Sequence, residues 1–296
     1  YGYRFMIGDA VSPSGRTRTL PLPDAVVNGL RFAYASCQRW EDGYYAAYRH
    51  MLAESLDLVV FVGDYIYEYA SRQENTARSH ALPHIRTLAD YRARYALYKS
   101  DPDLQRMHAA CPWLLTWDDH EVENNYAGVL SVEGTADLAA KRIAAYQAYY
   151  EHMPLRACSM IRGLAGLRHE GALQIYNRVD FGRLASFHVL DNRQYRDPPL
   201  CGPNPDSRLA SVCRNPEVDT RTMLGLEQEQ WLDSGLKFAA KRGAQWNVIA
   251  QQTVFSPRNY KYGPGAEFSS DAWDGYPAAR TRLLASIARH RPGNPI

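Results

Sequence analysis

The chain has 296 residues, enough for one large domain or two modest ones around a buried core. Its 46% hydrophobic and 22% charged composition excludes the disordered class. The 34 basic against 32 acidic residues leave a formal charge of +2, too balanced to imply nucleic acid or a membrane surface as partner.

No apolar run approaches the 18 or so residues of a membrane-spanning helix. The chain does not open on a basic stretch followed by an apolar one, so no signal peptide lies within it. Residues 1–24 contain one strand-like run and then Pro, Ser and Gly, which reads as an edge strand and a linker, the end of an N-terminal β domain. From Leu30 the pattern is strand (LRFAYAS), helix (about Tyr44 to Glu54) and strand (LDLVVFVGD), a βαβ unit with parallel strands. LVVFV is continuously apolar, as a strand covered on both faces should be. Two helices follow over 87–100 and 101–110, with Thr87 and Asp101 as N-caps. A strand at 113–117 runs into DDHEVENN, and a helix is expected over Asp137 to Glu151. Residues 173–193 read as a hairpin turning at Asp180-Phe181-Gly182. An amphipathic helix from Leu226 to Lys241, a buried strand QWNVIAQQT and a helix over Ala278 to His290 complete the order. Asn294-Pro295-Ile296 reads as the start of another buried strand, so both ends look interrupted. The class is α/β.

Five cysteines are present. Cys201 and Cys213 bracket a short loop rich in Gly, Pro, Asn and Ser, a plausible disulfide that would imply an oxidising compartment. Cys111 and Cys158 read as buried thiols. Cys37, at a strand end, needs a separate explanation.

In open α/β sheets ligands bind beyond the carboxyl ends of strands, and three strands here end in residues with ligand chemistry. The first ends in Ala35-Ser36-Cys37-Gln38, the second in Gly63-Asp64-Tyr65-Ile66-Tyr67, the third in Trp117-Asp118-Asp119-His120-Glu121. A carboxylate placed like Asp64 can bridge two cations, although a turn or N-cap role is the plain alternative. Tyr67 is close enough to reach the same ion; a phenolate suits a trivalent hard cation, whereas packing is the ordinary fate of a tyrosine. Crowding Asp118, Asp119 and Glu121 at a sheet end is costly unless a cation neutralises them. Asn124 can offer a carbonyl oxygen to a hard ion such as calcium.

The GDYIY block is similar to the GDxxY motif of purple acid phosphatases, and DDHE to the GNHE block of the metallophosphoesterases, with Asp119 at the Asn position. Together with SCQ at 36–38, LDNRQYR at 190–196 and WDGY at 273–276, these blocks resemble the PhoD-like alkaline phosphatases over nearly the whole chain. The resemblance implies a mixed β-sandwich flanked by helices (αββα) over 25–296 and an exported phosphoric ester hydrolase, secreted or periplasmic. It implies Cys37 as a thiolate ligand of ferric iron (Fe3+) and Asp64 bridging iron and a second metal, calcium (Ca2+). Tyr67 would complete the iron ligands on that side, and Asp119 and Asn124 would bind calcium, with Asp118 as a further candidate. His120 would stand beside the substrate, stabilising phosphoryl charge or protonating the leaving oxygen. Arg193 is the arginine expected near the substrate; a structural salt bridge is the competing role, and Arg196 stands close by.

The implied reaction is in-line attack on a phosphomonoester or phosphodiester by a metal-bound hydroxide or oxide, without a covalent enzyme intermediate. The rivals are a phospholipase-D-like phosphodiesterase acting on phospholipid-type substrates and a metal-binding protein without catalysis. The family's late GDxH block, a source of further metal ligands, is not found before Ile296, and His152, His169 and His188 lie in other contexts. No G-x-S-x-G elbow supports a serine hydrolase.

Overall fold

A computed structural model describes residues 1–72, 74–155, 173–199, 208–210 and 220–296. The expected Cys201–Cys213 disulfide and the buried Cys158 lie outside the described residues, as does His169.

The chain begins with four two-residue strands, β1 (Gly2–Tyr3), β2 (Met6–Ile7), β3 (Ala10–Val11) and β4 (Gly15–Arg16), forming two small antiparallel pairs, β1 with β4 and β2 with β3. They replace the single edge strand expected there. β5 (Phe32–Ala35), α1 (Ala46–Ala53) and β6 (Leu58–Val62) form the βαβ unit. After α2 (Leu88–Tyr98) and α3 (Pro102–Ala110), β7 (Trp113–Thr116) joins β6 in parallel, giving a three-stranded sheet in the order β5-β6-β7.

The two helices begin where their caps say. Thr87 Oγ1 accepts from Asp90 N at 3.3 Å while Asp90 Oδ2 accepts from Thr87 N at 2.8 Å, a capping box. Asp101 Oδ1 accepts from the amides of Asp103 and Leu104, with Pro102 in the first helical position.

α4 (Leu138–His152) precedes the hairpin of β8 (Asn177–Phe181) and β9 (Ala185–Val189). Phe181 pairs with Ala185, so the turn is Gly182-Arg183-Leu184 rather than Asp180-Phe181-Gly182. The reason is burial: Phe181 belongs to the inter-sheet core, whereas Gly182 adopts φ +55°, the left-handed region glycine tolerates. β10 (Arg208–Ala210), α5 (Leu226–Arg242), β11 (Trp246–Ala250), β12 (Glu267–Ser269) and α6 (Pro277–His290) follow. β11 runs parallel to β9, making a mixed sheet β11-β9-β8, and β10 pairs with β12. Residues 294–296 pair in parallel with β11, Ile249 N donating to Ile296 O at 2.8 Å, but they are exposed rather than buried.

Strand periodicity distributes the core. On β6, Leu58 and Val60 face Val179, Phe181, Phe187 and Val189 of the mixed sheet, while Val59 and Phe61 face the layer of α1 to α4. Phe32 and Phe187 meet edge to face across the two sheets at 5.3 Å. The outer face of the mixed sheet is covered by α5 and α6 through Leu232, Leu236, Ala279 and Leu283. The result is the αββα sandwich. At the carboxyl ends of the strands the two sheets are stitched together: Thr116 Oγ1 donates to Leu190 O at 2.7 Å. Gln252 Nε2 donates to Trp117 O at 2.6 Å and to Leu190 O at 3.0 Å. Among the described residues, no helix is long and apolar enough to cross a membrane.

Candidate metal centre

Because β5, β6 and β7 are parallel, their carboxyl ends share one edge, and Cys37, Asp64 and the Asp118–Glu121 run leave the sheet together. Cys37 N donates to Gly63 O and Gln38 N to Asp64 O, each at 3.1 Å, so the first two loops run side by side. Cys37, Asp64 and Asn125 all hold left-handed backbone (φ 57°, 57° and 55°), a conformation costly for side-chain-bearing residues. Gly63 is required twice over: its φ is +97°, and a Cβ would sit 2.4 Å from Asp118 N.

Ligand atoms of Asp64, Asp119 and His120 lie within 4.8 Å of one another. Tyr67 Oη donates to Asp64 Oδ2 at 3.0 Å, and Cys37, on the adjoining loop, is exposed. Asp64, Asp119 and His120 therefore converge, with the Tyr67 hydroxyl on Asp64, while Cys37 stands on the neighbouring strand end outside that cluster. Asn124 is half-buried, held by its backbone amide, which donates to Glu68 Oε1 at 2.7 Å.

The electrostatics are those of an anionic pocket. Burial, then the charges of Asp119 and Asp118, push Asp64 well above the usual carboxylate range. Burial and the Asp64 charge push the Cys37 thiol up to about 12 and raise Tyr67 further still. Asp119 is opposed by burial, but Arg193 and His120 overcome it and hold the carboxyl below its ordinary value. Burial alone would lower His120; Asp119 and the Glu68 hydrogen bond outweigh it and lift the imidazole to about 10. Asp64 Oδ1 is buried with no hydrogen-bond partner. An orphaned carboxylate oxygen, converging acids and a nearby thiol and phenol form a donor set that fits a cation, and hard oxygen donors with a phenol suit a strongly Lewis-acidic one.

Three residues not singled out from sequence hold this arrangement. Glu68, fully buried, accepts from Asn124 N and bonds His120 Nδ1 at 2.8 Å, which leaves Nε2 as the ring's other polar atom. Glu121, 1% exposed, accepts from the amides of Asp64 (3.1 Å), Tyr65 (2.6 Å) and Asp118 (2.9 Å), tying the second loop to the third. Asp271 takes both arms of Arg193, at 2.5 and 2.6 Å. Glu68 and Glu121 lie inside the motif blocks, where an acid beside each ligand was a visible signal; nothing local marks Asp271.

Arg193 is placed differently from the expectation of a substrate-facing arginine. It is 2% exposed, its Nε donates to Asp118 Oδ1 at 2.5 Å, and Asp119 Oδ1 lies 3.5 Å from Nη2. Three carboxylates absorb the guanidinium, so its role in this structure is to neutralise the acids behind the pocket. Asp118 is turned to Arg193 and away from the convergence point. Arg196 is likewise engaged, with Asn192 O and Asp271.

The PhoD-like phosphatase family model matches residues 32–296. Alkaline phosphatase D of Bacillus subtilis (strain 168) is 47% identical over 304 aligned residues, covering 100% of this chain and 49% of that protein. A solved structure described as that of PhoD superposes with a TM-score of 0.89 at 45% identity, covering 100% of this chain and 55% of the other. A dimetal phosphatase from Danio rerio aligns at 13% identity with a TM-score of 0.44 over 88% of this chain and 78% of the other, a likeness too distant to carry weight. The chain thus spans about half the length of the relatives it matches. It belongs to the PhoD-like phosphatase family.

Proposed function

We propose that this chain carries the core of a metal-dependent phosphoesterase, an alkaline-phosphatase-D-like hydrolase of small phosphate esters. The observation that carries the reading is the convergence of Asp64, Asp119 and His120, with the Tyr67 hydroxyl on Asp64 and Cys37 at the next strand end, along the shared carboxyl edge of three parallel strands. Cys37, Asp64 and Tyr67 would hold a ferric ion, and Asp64, Asp119 and Asn124 a calcium ion. When bound, these ions would supply the Lewis acidity that activates water and offsets phosphoryl charge.

The chain's own residues do the rest. The raised thiol and phenol of Cys37 and Tyr67 stay protonated until a cation displaces their protons, so ligation is coupled to proton release. Glu68 fixes the His120 ring through Nδ1, and Asp119 together with Glu68 favours its cationic form, whose Nε2–H can steady a phosphoryl oxygen or pass a proton to the leaving group. Glu121 and Gly63 keep the ligand loops in register.

The test is turnover of p-nitrophenyl phosphate and bis(p-nitrophenyl) phosphate by purified protein of known metal content. Hydrolysis that needs iron and calcium, and that is lost in Cys37→Ser and Asp64→Asn with their iron, supports the reading. Full metal content with no hydrolysis of either ester would leave a metal-binding protein without catalysis. Zinc as the sole metal would overturn the ligand assignment.

A further inference from the structure

Of four arginines near the centre, three are spent: Arg193 on Asp118 and Asp271, Arg196 on Asn192 O and Asp271, and Arg94 on the carbonyls of Tyr67, Tyr69 and Pro83. Arg39 differs. It lies two residues beyond Cys37 on the same loop, and its side chain is 22% exposed. Its guanidinium carbon lies 5.6 Å from the Tyr67 ring centre and 5.4 Å from that of Tyr69. The His120 ring packs on the same two rings, at 4.2 and 5.2 Å. Arg39 and His120 therefore share the aromatic pair whose Tyr67 hydroxyl touches Asp64.

The acid nearest to Arg39 is Glu41, at 3.7 Å, outside hydrogen-bonding range. Glu41 is already engaged: its Oε1 accepts from Ser71 Oγ and Arg72 N, each at 2.9 Å, and Arg72 Nε and His80 Nε2 stand 3.5 and 3.6 Å from Oε2. Arg39 is thus a rim cation, held by ring contacts on Tyr67 and Tyr69 and by a long ion pair with Glu41 at 3.7 Å that commits none of its donors to a carboxylate hydrogen bond among the described residues. A fork of that kind matches two oxygens of one phosphoryl group.

We propose that Arg39 is the substrate-binding arginine of this centre, pairing with the terminal oxygens of a phosphate monoester and so favouring monoesters over diesters. The inference rests on the phosphoesterase reading. A monoester phosphoryl presents three terminal oxygens and up to two negative charges to the fork; a diester keeps two terminal oxygens and a single charge, so its pair with the guanidinium is weaker. Phosphoryl recognition is divided between Arg39 at the rim and His120 at the inner wall, with Tyr67 and Tyr69 between them.

The experiment compares Arg39→Ala and Arg39→Lys with the unsubstituted, metal-loaded protein. In Arg39→Ala, KM for p-nitrophenyl phosphate and the inhibition constant of inorganic phosphate should each rise about tenfold, the loss of roughly one charge-assisted pair. Values for bis(p-nitrophenyl) phosphate should change less than threefold, and iron and calcium content should not change. Arg39→Lys should recover part of the loss, because a point charge replaces the fork. Unchanged phosphate inhibition, or an equal loss on both esters, overturns the proposal, and so does a fall in kcat that tracks lost metal. Inactivity of the unsubstituted protein would instead defeat the phosphoesterase reading itself.

Discussion

Replacing Glu121 by glutamine asks whether one carboxylate fixes both ligand loops. Oε2 accepts from Asp64 N at 3.1 Å and Asp118 N at 2.9 Å, and Oε1 from Tyr65 N at 2.6 Å. A glutamine keeps one oxygen. Turned toward Asp64 and Asp118 it retains two weaker bonds and sets its own NH2 against the Tyr65 amide, donor against donor. A hydrogen bond to a charged group contributes about 1.5–3 kcal/mol, and an unpaired buried donor costs about 1–3 kcal/mol, so the net loss is about 3 kcal/mol. For a chain of this size that lowers the apparent Tm by about 6 °C. Glu121→Ala strands all three amides and should cost about twice as much. Because Asp64 and Asp118 both move, affinity for added metal should fall about 10–100-fold. Thermal denaturation of the metal-free protein and elemental analysis after dialysis against limiting metal read the two effects separately. A Glu121→Gln protein with unchanged Tm and metal retention would show that the loops keep their geometry without this carboxylate, and the reasoning would fail.

Glu68→Gln should keep the Asn124 contact but weaken the hold on His120 Nδ1, lowering kcat about 10–100-fold with metal content intact; unaltered kcat would remove Glu68 from the mechanism. Gly63→Ala forces a Cβ to 2.4 Å from Asp118 N at φ +97° and should yield protein that does not retain metal, whereas Gly29→Ala, which meets nothing within 4 Å, should behave as the unsubstituted chain. The pH dependence of stability has its own source away from the centre. Burial lowers His108 to about 3 and His188 to about 4, against an ordinary value of 6.5. Between 6.5 and about 4 the unfolded chain binds protons at these rings that the folded chain does not, so stability falls as pH falls through that window. His108→Phe, which preserves the stack on Trp113, should make that slope shallower by about 1.4 kcal/mol per pH unit; an identical slope in urea denaturation would contradict the burial argument.

The fold was legible wherever a local rule was strong. The apolar run at Leu58–Val62, the caps Thr87 and Asp101, and the helix beginning at Asp137 each announce their element without help from tertiary structure. The turn lies two residues later than Asp-Phe-Gly, which resembles a turn, would place it. The alternation of Val179 with Phe181 was the better guide, since it carries Phe181 into the inter-sheet core. The N-terminal pairs are two residues long, too short for any periodicity. At the centre, strand-end position brought out Asp64 and the acids after β7, while Cys37 owed its role to family resemblance. For Arg193 the salt bridge, one of the two roles its sequence context allows, is the one present, and its main partner Asp271 lies 78 positions away with no local trace. Glu68 and Glu121 bond groups 52 to 57 positions distant, which only the assembled sheet makes neighbours.

The stitching of the two sheets at their carboxyl ends bears on how the chain assembles. Asp64, Asp118, Asp119 and Glu121 all belong to the first sheet, whereas Arg193, which offsets Asp118 and Asp119, and Gln252, which clamps Trp117 O, arrive with the second. A chain that had built only β5 to β7 would hold a knot of mutually repelling carboxylates with nothing to quiet it. Half a sandwich is therefore penalised at the very spot where the finished one ties its two sheets together. Folding of the two sheets should consequently be a single cooperative event rather than two independent ones.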